Sequence, residues 1–211
     1  MKVGVIDYGV GNLGSISRSL DHLGVTPILI ESSKDVCSAD CLILPGVGNF
    51  TECKQRLDKA DWVKALQDWV LGDHKPLLGI CLGMQLLADS STEGAVDGSS
   101  TPGLGLVPGQ VRKLARIGCS LRLPHMGWNS LILSRSCSLL DKIPDETDFY
   151  FVHSYAFEPK YREDVYAVTN YEIPITAVIG RGSVWGTQFH PEKSSRAGFQ
   201  ILQNFVEYQK C

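Results

Sequence analysis

No Cys-x-x-Cys pair occurs in the 211 residues and the five histidines are scattered, so no zinc-type ligand set is written into the chain. The seven cysteines are an odd number and imply no disulfide framework; Cys37, Cys41, Cys53, Cys119, Cys137 and Cys211 read as free thiols of a reducing compartment. Strong charge of either sign is missing too. A formal net charge of -3, without clustered Lys or Arg, argues against a nucleic-acid-binding surface. No apolar run is long enough to cross a bilayer, and Lys2-Val3-Gly4-Val5-Ile6 enters a strand pattern with no signal peptide before it. No membrane association is expected, and a cytoplasmic protein is. The turn Tyr8-Gly9-Val10-Gly11-Asn12 holds a Gly-x-Gly but not the full dinucleotide fingerprint, and there is no P-loop lysine, so no nucleotide or other cofactor is expected.

What is present is ordinary for a globular protein: 44% apolar and 20% charged residues, in a length that suits a single domain over residues 1–211. Strand-like runs at 3–7, 26–30, 41–44 and 76–80 alternate with helix-like segments at 13–23, 50–57 and 61–71, a pattern that implies an α/β fold with a parallel sheet. From 103 to 179, short β-type runs at 110–114, 121–123, 130–133, 149–153, 165–169 and 175–179 suggest antiparallel strands added to it. The expected architecture is therefore a mixed, mostly parallel central sheet flanked by helices. A final helix is expected over 194–208.

The chemistry concentrates at Gly79-Ile80-Cys81-Leu82-Gly83. An apolar run from Pro76 precedes it and good helix formers follow it, so Cys81 falls at a strand-to-helix turn. Glycines on both sides permit the crowding of such a turn, the device of the Gly-x-Ser-x-Gly nucleophile elbow with sulfur in place of oxygen. The helix start favours a thiolate, and the Leu82 N–H, lacking an intrahelical partner, points where an oxyanion would form. Gln85, one turn on, can reach a substrate over the sulfur. A second motif, His190-Pro191-Glu192, offers a base and the group that orients it, because residues two apart in an extended segment face the same side. The loop Pro45-Gly46-Val47-Gly48 ends another strand. It is a candidate for a second oxyanion donor through the Val47 N–H, and for substrate contact at Gly48.

Together, Gly79-Ile80-Cys81-Leu82-Gly83-Met84-Gln85, Pro45-Gly46-Val47-Gly48 and His190-Pro191-Glu192-Lys193-Ser194 resemble the class I glutamine amidotransferases. Pro124-His125-Met126-Gly127-Trp128-Asn129 and Tyr150-Phe151-Val152-His153-Ser154-Tyr155 narrow the resemblance to their imidazole glycerol phosphate synthase branch. It implies a flavodoxin-like fold and a Cys81–His190–Glu192 triad that hydrolyses L-glutamine to glutamate and ammonia through a thioester. It also implies a heterodimer with a (β/α)8-barrel cyclase subunit that uses the ammonia in histidine biosynthesis. The resemblance further places Glu93 at the substrate's α-amino group and His153, Ser154 and Tyr155 at its α-carboxylate. Asn12 and the 124–129 stretch, including His125 and Met126, would face the partner, and Lys193 and Ser194 would support the triad. One departure stands out: Tyr171-Glu172 replaces the family's usual Tyr-Gly. A paralogue passing ammonia to another acceptor, such as a surface-sugar amidotransferase, carries the same motifs. So far as Cys81 and His190 go, an unrelated cysteine hydrolase does too.

Overall fold

A computed structural model describes residues 2–95 and 99–207. The first part of the chain alternates as its periodicity predicts: β1 (Val3–Ile6), α1 (Leu13–His22), β2 (Ile28–Ile30), β3 (Cys41–Leu44), α2 (Phe50–Lys59), α3 (Trp62–Gln67), β4 (Leu77–Ile80) and α4 (Leu82–Leu86). Then come β5 (Ser90–Ser91), β6 (Thr101–Pro102), β7 (Gly109–Lys113), β8 (His125–Leu133), β9 (Thr147–His153) and β10 (Tyr155–Pro159). The chain continues with β11 (Val165–Tyr171), β12 (Ile173–Arg181), β13 (Val184–Thr187) and α5 (Ser195–Glu207). Tyr208, expected at the end of the last helix, and Cys211 lie outside the described residues.

Nine strands form one sheet in the order β2-β1-β3-β4-β13-β12-β11-β8-β9, and β10-β7-β5-β6 form a smaller one. The expected mixed sheet is there, but parallel pairing does not predominate in it. The four pairings from β2 to β13 are parallel and the four from β13 to β9 antiparallel. The change comes at β13, which reaches the sheet through a tight hairpin from β12 and so lies antiparallel to it while running parallel to β4.

Strands β1, β3, β4 and β13 are buried on both faces, which is why they read as unbroken apolar runs. Alternation along β3 divides the core. Cys41 and Ile43 pack with Ile16, Leu20, Leu202 and Phe205 of α1 and α5, whereas Leu42 and Leu44 pack with Phe50, Leu57, Trp62 and Leu66 of α2 and α3. Each such fully buried side chain contributes about 1.5–3 kcal/mol. Asn49 caps α2 by accepting a hydrogen bond from the Glu52 N–H at 3.2 Å, with Arg56 and Lys59 in the last turn.

Three local expectations change. The single helix over 61–71 is α3 followed by a wider π turn at Asp68–Gly72, although Trp62, Leu66, Trp69 and Val70 are all buried as its stripe implies. Residues 121–123 form no strand; the chain bends there before Pro124. β8 begins at His125 rather than Ser130, because the segment from 125 has a long partner in β9. The polar 90–102 segment carries two short strands that pin its ends together, Ser90 opposite Pro102 and Ser91 opposite Thr101. Glu172 has φ 64, the left-handed conformation that glycine adopts freely. Its carboxylate compensates by accepting hydrogen bonds from the Ser120 N–H, the Ser120 hydroxyl at 2.6 Å and the Leu121 N–H at 3.2 Å, bracing the segment that leads into β8.

Candidate active site

Cys81 stands between β4 and α4 with φ 54 and ψ -109, a conformation most side chains avoid. The surroundings hold it there: its N–H donates to the Thr187 carbonyl at 2.7 Å, and its carbonyl accepts from the Gln85 N–H at 3.2 Å. Crowding does the rest. A Cβ on Gly83 would lie 1.9 Å from the Leu44 carbonyl oxygen, and one on Gly46 would lie 2.7 Å from the Gly83 nitrogen. Only glycines at both positions let the 45–48 loop lie against the start of α4, beside Cys81.

His190 arrives from the end of β13, beyond Gln188 and Phe189. Its N–H donates to the Tyr150 carbonyl at 3.0 Å, and its carbonyl accepts from the Ser194 hydroxyl at 2.7 Å. That same hydroxyl accepts from the Tyr150 N–H at 3.0 Å, so Ser194 locks the histidine's backbone onto β9. His190 Nδ1 lies 2.8 Å from Glu192 Oε1, with both side chains about 2% exposed or less. The other ring nitrogen, Nε2, makes no hydrogen bond of standard geometry and is left for the Cys81 thiol, with which the ring interacts electrostatically. Burial works against the imidazolium, but the hydrogen bonding and negative charge supplied by Cys81 and Glu192 outweigh it and lift the His190 pKa to about 9.

Beside the sulfur lies a cavity of about 200 Å³, lined by Val47, Gly48, Cys81, Leu82, Gln85, Glu93, Val152, His153, Ser154, Tyr155, His190 and Lys193. Every residue that the sequence assigned to oxyanion or substrate contact is on this wall. Glu192 is behind His190. Asn12, half-buried, and Met126, 61% exposed, are outside the cavity. His125 differs from expectation: it is 3% exposed and does not present itself to a partner, because Phe151 and Tyr171 stack on it with ring centroids 5.0 and 4.2 Å away. Glu93 is fixed by the Phe50 N–H, which donates to Oε2 at 3.0 Å; burial raises its pKa and this bond opposes the rise.

Gln85 is oriented differently from the simplest reading. Its Nε2 donates to the Tyr155 carbonyl at 3.0 Å and to Gln188 Oε1 at 2.9 Å, so both amide hydrogens are spent and only an acceptor remains. Gln188, which the sequence reading passed over, donates in turn to Cys81 Sγ at 3.7 Å. A buried glutamine in the short run that leads from β13 to His190 was the available signal. Val152 was also missed; its carbonyl lies 3.9 Å from the same sulfur.

His153 and His125 form a chain of fixed tautomers. His153 Nδ1 must donate to the Tyr155 carbonyl at 2.8 Å, which makes its Nε2 the acceptor from His125 Nδ1 at 2.9 Å. His125 Nε2 then accepts from Asn129 Nδ2 at 3.2 Å, and Asn129 also donates to the Asn170 carbonyl at 2.8 Å. Burial lowers the pKa of His125 to about 4. Burial, with the nearby His125 and His190 rings, lowers that of His153 to about 3 against the pull of the Tyr155 carbonyl. Both rings are neutral hydrogen-bonding struts. Chemically, the assembled groups offer a thiol, a charged histidine beside it and a carboxylate behind that, at one small cavity bordered by the 45–48 loop and the start of α4. No group of side chains among the described residues is arranged to hold a metal ion.

The family model for "Glutamine amidotransferase class-I" matches residues 4–208. The chain is 42% identical over 206 residues to the imidazole glycerol phosphate synthase subunit HisH of Desulfitobacterium hafniense, covering 98% of this chain and 94% of that one. It is 44% identical over 213 residues to the subunit HisH 2 of Vibrio vulnificus, covering 100% and 96%. Among solved structures, one described as a glutamine amidotransferase superposes with a TM-score of 0.76 at 19% identity, covering 99% of both chains. A chain of the PurLQS structure from Thermotoga maritima superposes with a TM-score of 0.76 at 16% identity, covering 98% of both chains. These two show likeness of fold.

Proposed function

The chain belongs to the class-I glutamine amidotransferase family, and from that premise we infer that it is the glutaminase subunit of an imidazole glycerol phosphate synthase, releasing ammonia from L-glutamine for a cyclase partner in histidine biosynthesis. One observation carries the chemistry: Cys81, held at positive φ, stands next to a buried His190–Glu192 pair, and both border a cavity of about 200 Å³. A space of that size suits a single amino acid rather than a polypeptide, which sets this reading apart from a peptidase.

Cys81 acts as the thiolate, its proton held on His190, whose elevated pKa favours the ion pair. The sulfur attacks the side-chain amide carbon of glutamine. The Leu82 N–H and an amide of the 45–48 loop, for which Val47 is the sequence candidate, stabilise the oxyanion. As the tetrahedral intermediate collapses, the C–N bond breaks, His190 gives its proton to the departing nitrogen, and ammonia and a thioester result. His190, now neutral, takes a proton from water, which attacks the thioester; glutamate leaves and the thiolate–imidazolium pair is restored. Glu192 holds the ring's orientation throughout. Gly48, the Gln85 carbonyl oxygen, Glu93 and the His153–Ser154–Tyr155 backbone position the substrate.

We assign the partner a (β/α)8-barrel fold and a heterodimeric arrangement, docking over Asn12 and Met126. The half-exposed Met126 and Trp128 on β8 support this, since Met126 pairs with Val152, whose carbonyl borders the sulfur. The chain is read as one amidotransferase domain. Its free cysteines support a cytoplasmic setting, and among the described residues no helix is long and apolar enough to cross a membrane. The test is ammonia release from glutamine by the purified chain, with and without the cyclase and its nucleotide substrate. The rate rises sharply when both are added, and Cys81→Ala abolishes it without unfolding the protein. Turnover retained in that variant, or rates indifferent to the cyclase, overturns the assignment.

A further inference from the structure

Gln188 is fully buried, is not on the wall of the cavity, and has no part in the mechanism above. Its backbone N–H is fixed by donating to the Ala177 carbonyl at 2.9 Å, and its side chain lies between Cys81 and Gln85. Which end of that amide meets the sulfur is decided two contacts away. The Tyr155 carbonyl can only accept, and it takes hydrogen bonds from His153 Nδ1 at 2.8 Å and Gln85 Nε2 at 3.0 Å. Gln85 must therefore turn its NH2 group to Tyr155, and the second hydrogen on the same nitrogen reaches Gln188 at 2.9 Å. The Gln188 atom that receives it has to be the oxygen. Its NH2 group is left facing Cys81 Sγ, 3.7 Å away.

The sulfur also has a competing neighbour. As a thiol it donates to the Val152 carbonyl at 3.9 Å, which favours the protonated form, whereas the Gln188 N–H gives its hydrogen bond to sulfur and favours the thiolate. A bond to an ionised acceptor is roughly twice as strong as one between neutral groups, so the donor prevails. An inverted Gln188 amide would set an oxygen against the anion instead.

We propose that Gln188 is a catalytic residue: its side-chain N–H holds Cys81 as the thiolate, and the Tyr155–Gln85–Gln188 relay keeps that N–H turned to the sulfur. This role rests on the reading of Cys81 as the nucleophile that forms a thioester. Gln85 then has a second duty besides facing the substrate, that of setting the polarity of the amide behind it.

The experiment uses the chain assembled with its cyclase and follows alkylation of Cys81 by iodoacetamide across pH, read by mass spectrometry of the Cys81 peptide, beside ammonia release from glutamine. Gln188→Met keeps the length and removes the donor. Losing a hydrogen bond to a charged group slows alkylation roughly ten-fold at neutral pH. In alkaline solution, where the thiol ionises unaided, the rate returns to the wild-type value or passes it, since a less stabilised thiolate is the stronger nucleophile. The kcat for glutamine falls by roughly ten-fold as well, with KM little changed. Gln85→Glu leaves Gln188 in place but offers it an oxygen, so Gln188 turns its NH2 group away from the sulfur and the alkylation profile changes in the same way. Added to Gln188→Met, Gln85→Glu has little further effect. An unaltered profile in Gln188→Met overturns the role, as does slowing that is equal at every pH, the mark of a displaced sulfur. Should Gln188→Met not fold, Gln85→Glu decides, and a wild-type profile there overturns the relay. A Gln85→Glu effect undiminished in the Gln188→Met background reflects charge alone and overturns it too. A wild-type complex that releases no ammonia from glutamine sinks the underlying functional reading instead.

Discussion

His190 and the His153–His125 pair are buried to the same degree, yet one is pushed to about 9 and the others down to about 3 and 4. Burial opposes the charged ring in all three. The difference is in the partners: His190 has a carboxylate on one nitrogen and a thiol toward the other, whereas His153 has a carbonyl and another imidazole. A buried histidine thus becomes a proton carrier or a strut according to the charge of what it touches. Sequence spacing foretold the His190–Glu192 contact, since Glu192 is two residues away. It did not foretell the strut, whose partners lie 28 residues apart.

The sharpest way to break the contrast is to take the charge from His190's neighbour. Glu192→Gln keeps the shape and removes the anion, so the ring should titrate well below 9 by NMR, and kcat should fall by about 10²–10⁴ with little change in KM. An unshifted His190 titration would mean that Glu192 does not set its charge.

Next in size is the pH dependence of stability, in which the two regions act with opposite sign. His190 is raised above its unfolded value of 6.5, so its contribution is fully present below pH 6.5 and is lost as pH rises through about 9. The lowered pair contributes fully above pH 6.5 and loses stability as pH falls toward 4 and then 3, because the unfolded rings take up protons first. Urea unfolding across this range in wild type and His190→Gln should differ by an alkaline slope, on the order of 1–3 kcal/mol, that only the wild type shows. Parallel curves above pH 6.5 would refute it.

A stability effect of similar size comes from His125→Phe, which keeps the stacking on Phe151 and Tyr171 but removes the donor to His153. A cost of about 1–3 kcal/mol in stability is expected, with a change in the glutamine KM larger than that in kcat, because the 153–155 backbone borders the cavity. A KM unchanged beside a lowered kcat would place His125 nearer the chemistry than the geometry does.

The parallel half of the sheet and the elbow were legible because their signals are local: apolar runs buried on both faces, and glycines bracketing Cys81. The antiparallel half was read less well. β8 reveals itself only through its pairing with β9, since His125, Gly127 and Asn129 interrupt any apolar pattern, and the strand expected at 121–123 is a bend held by Glu172 and Tyr171 from another hairpin. Gln188 escaped notice because its contact with the sulfur follows from strand order, with β13 beside β4, rather than from neighbours in the chain, and Val152 because it comes to the sulfur from β9, at the other end of the sheet order.

Gly46 and Gly83 meet so closely that neither has space for a methyl group. For anyone wishing to redesign the enzyme's selectivity, this contact divides the cavity wall into fixed and adjustable parts. Libraries at these two positions will return misfolded protein whatever their neighbours, while Glu93 and Tyr155, whose side chains approach from the smaller sheet and its loop, offer room to accept an amide donor other than glutamine.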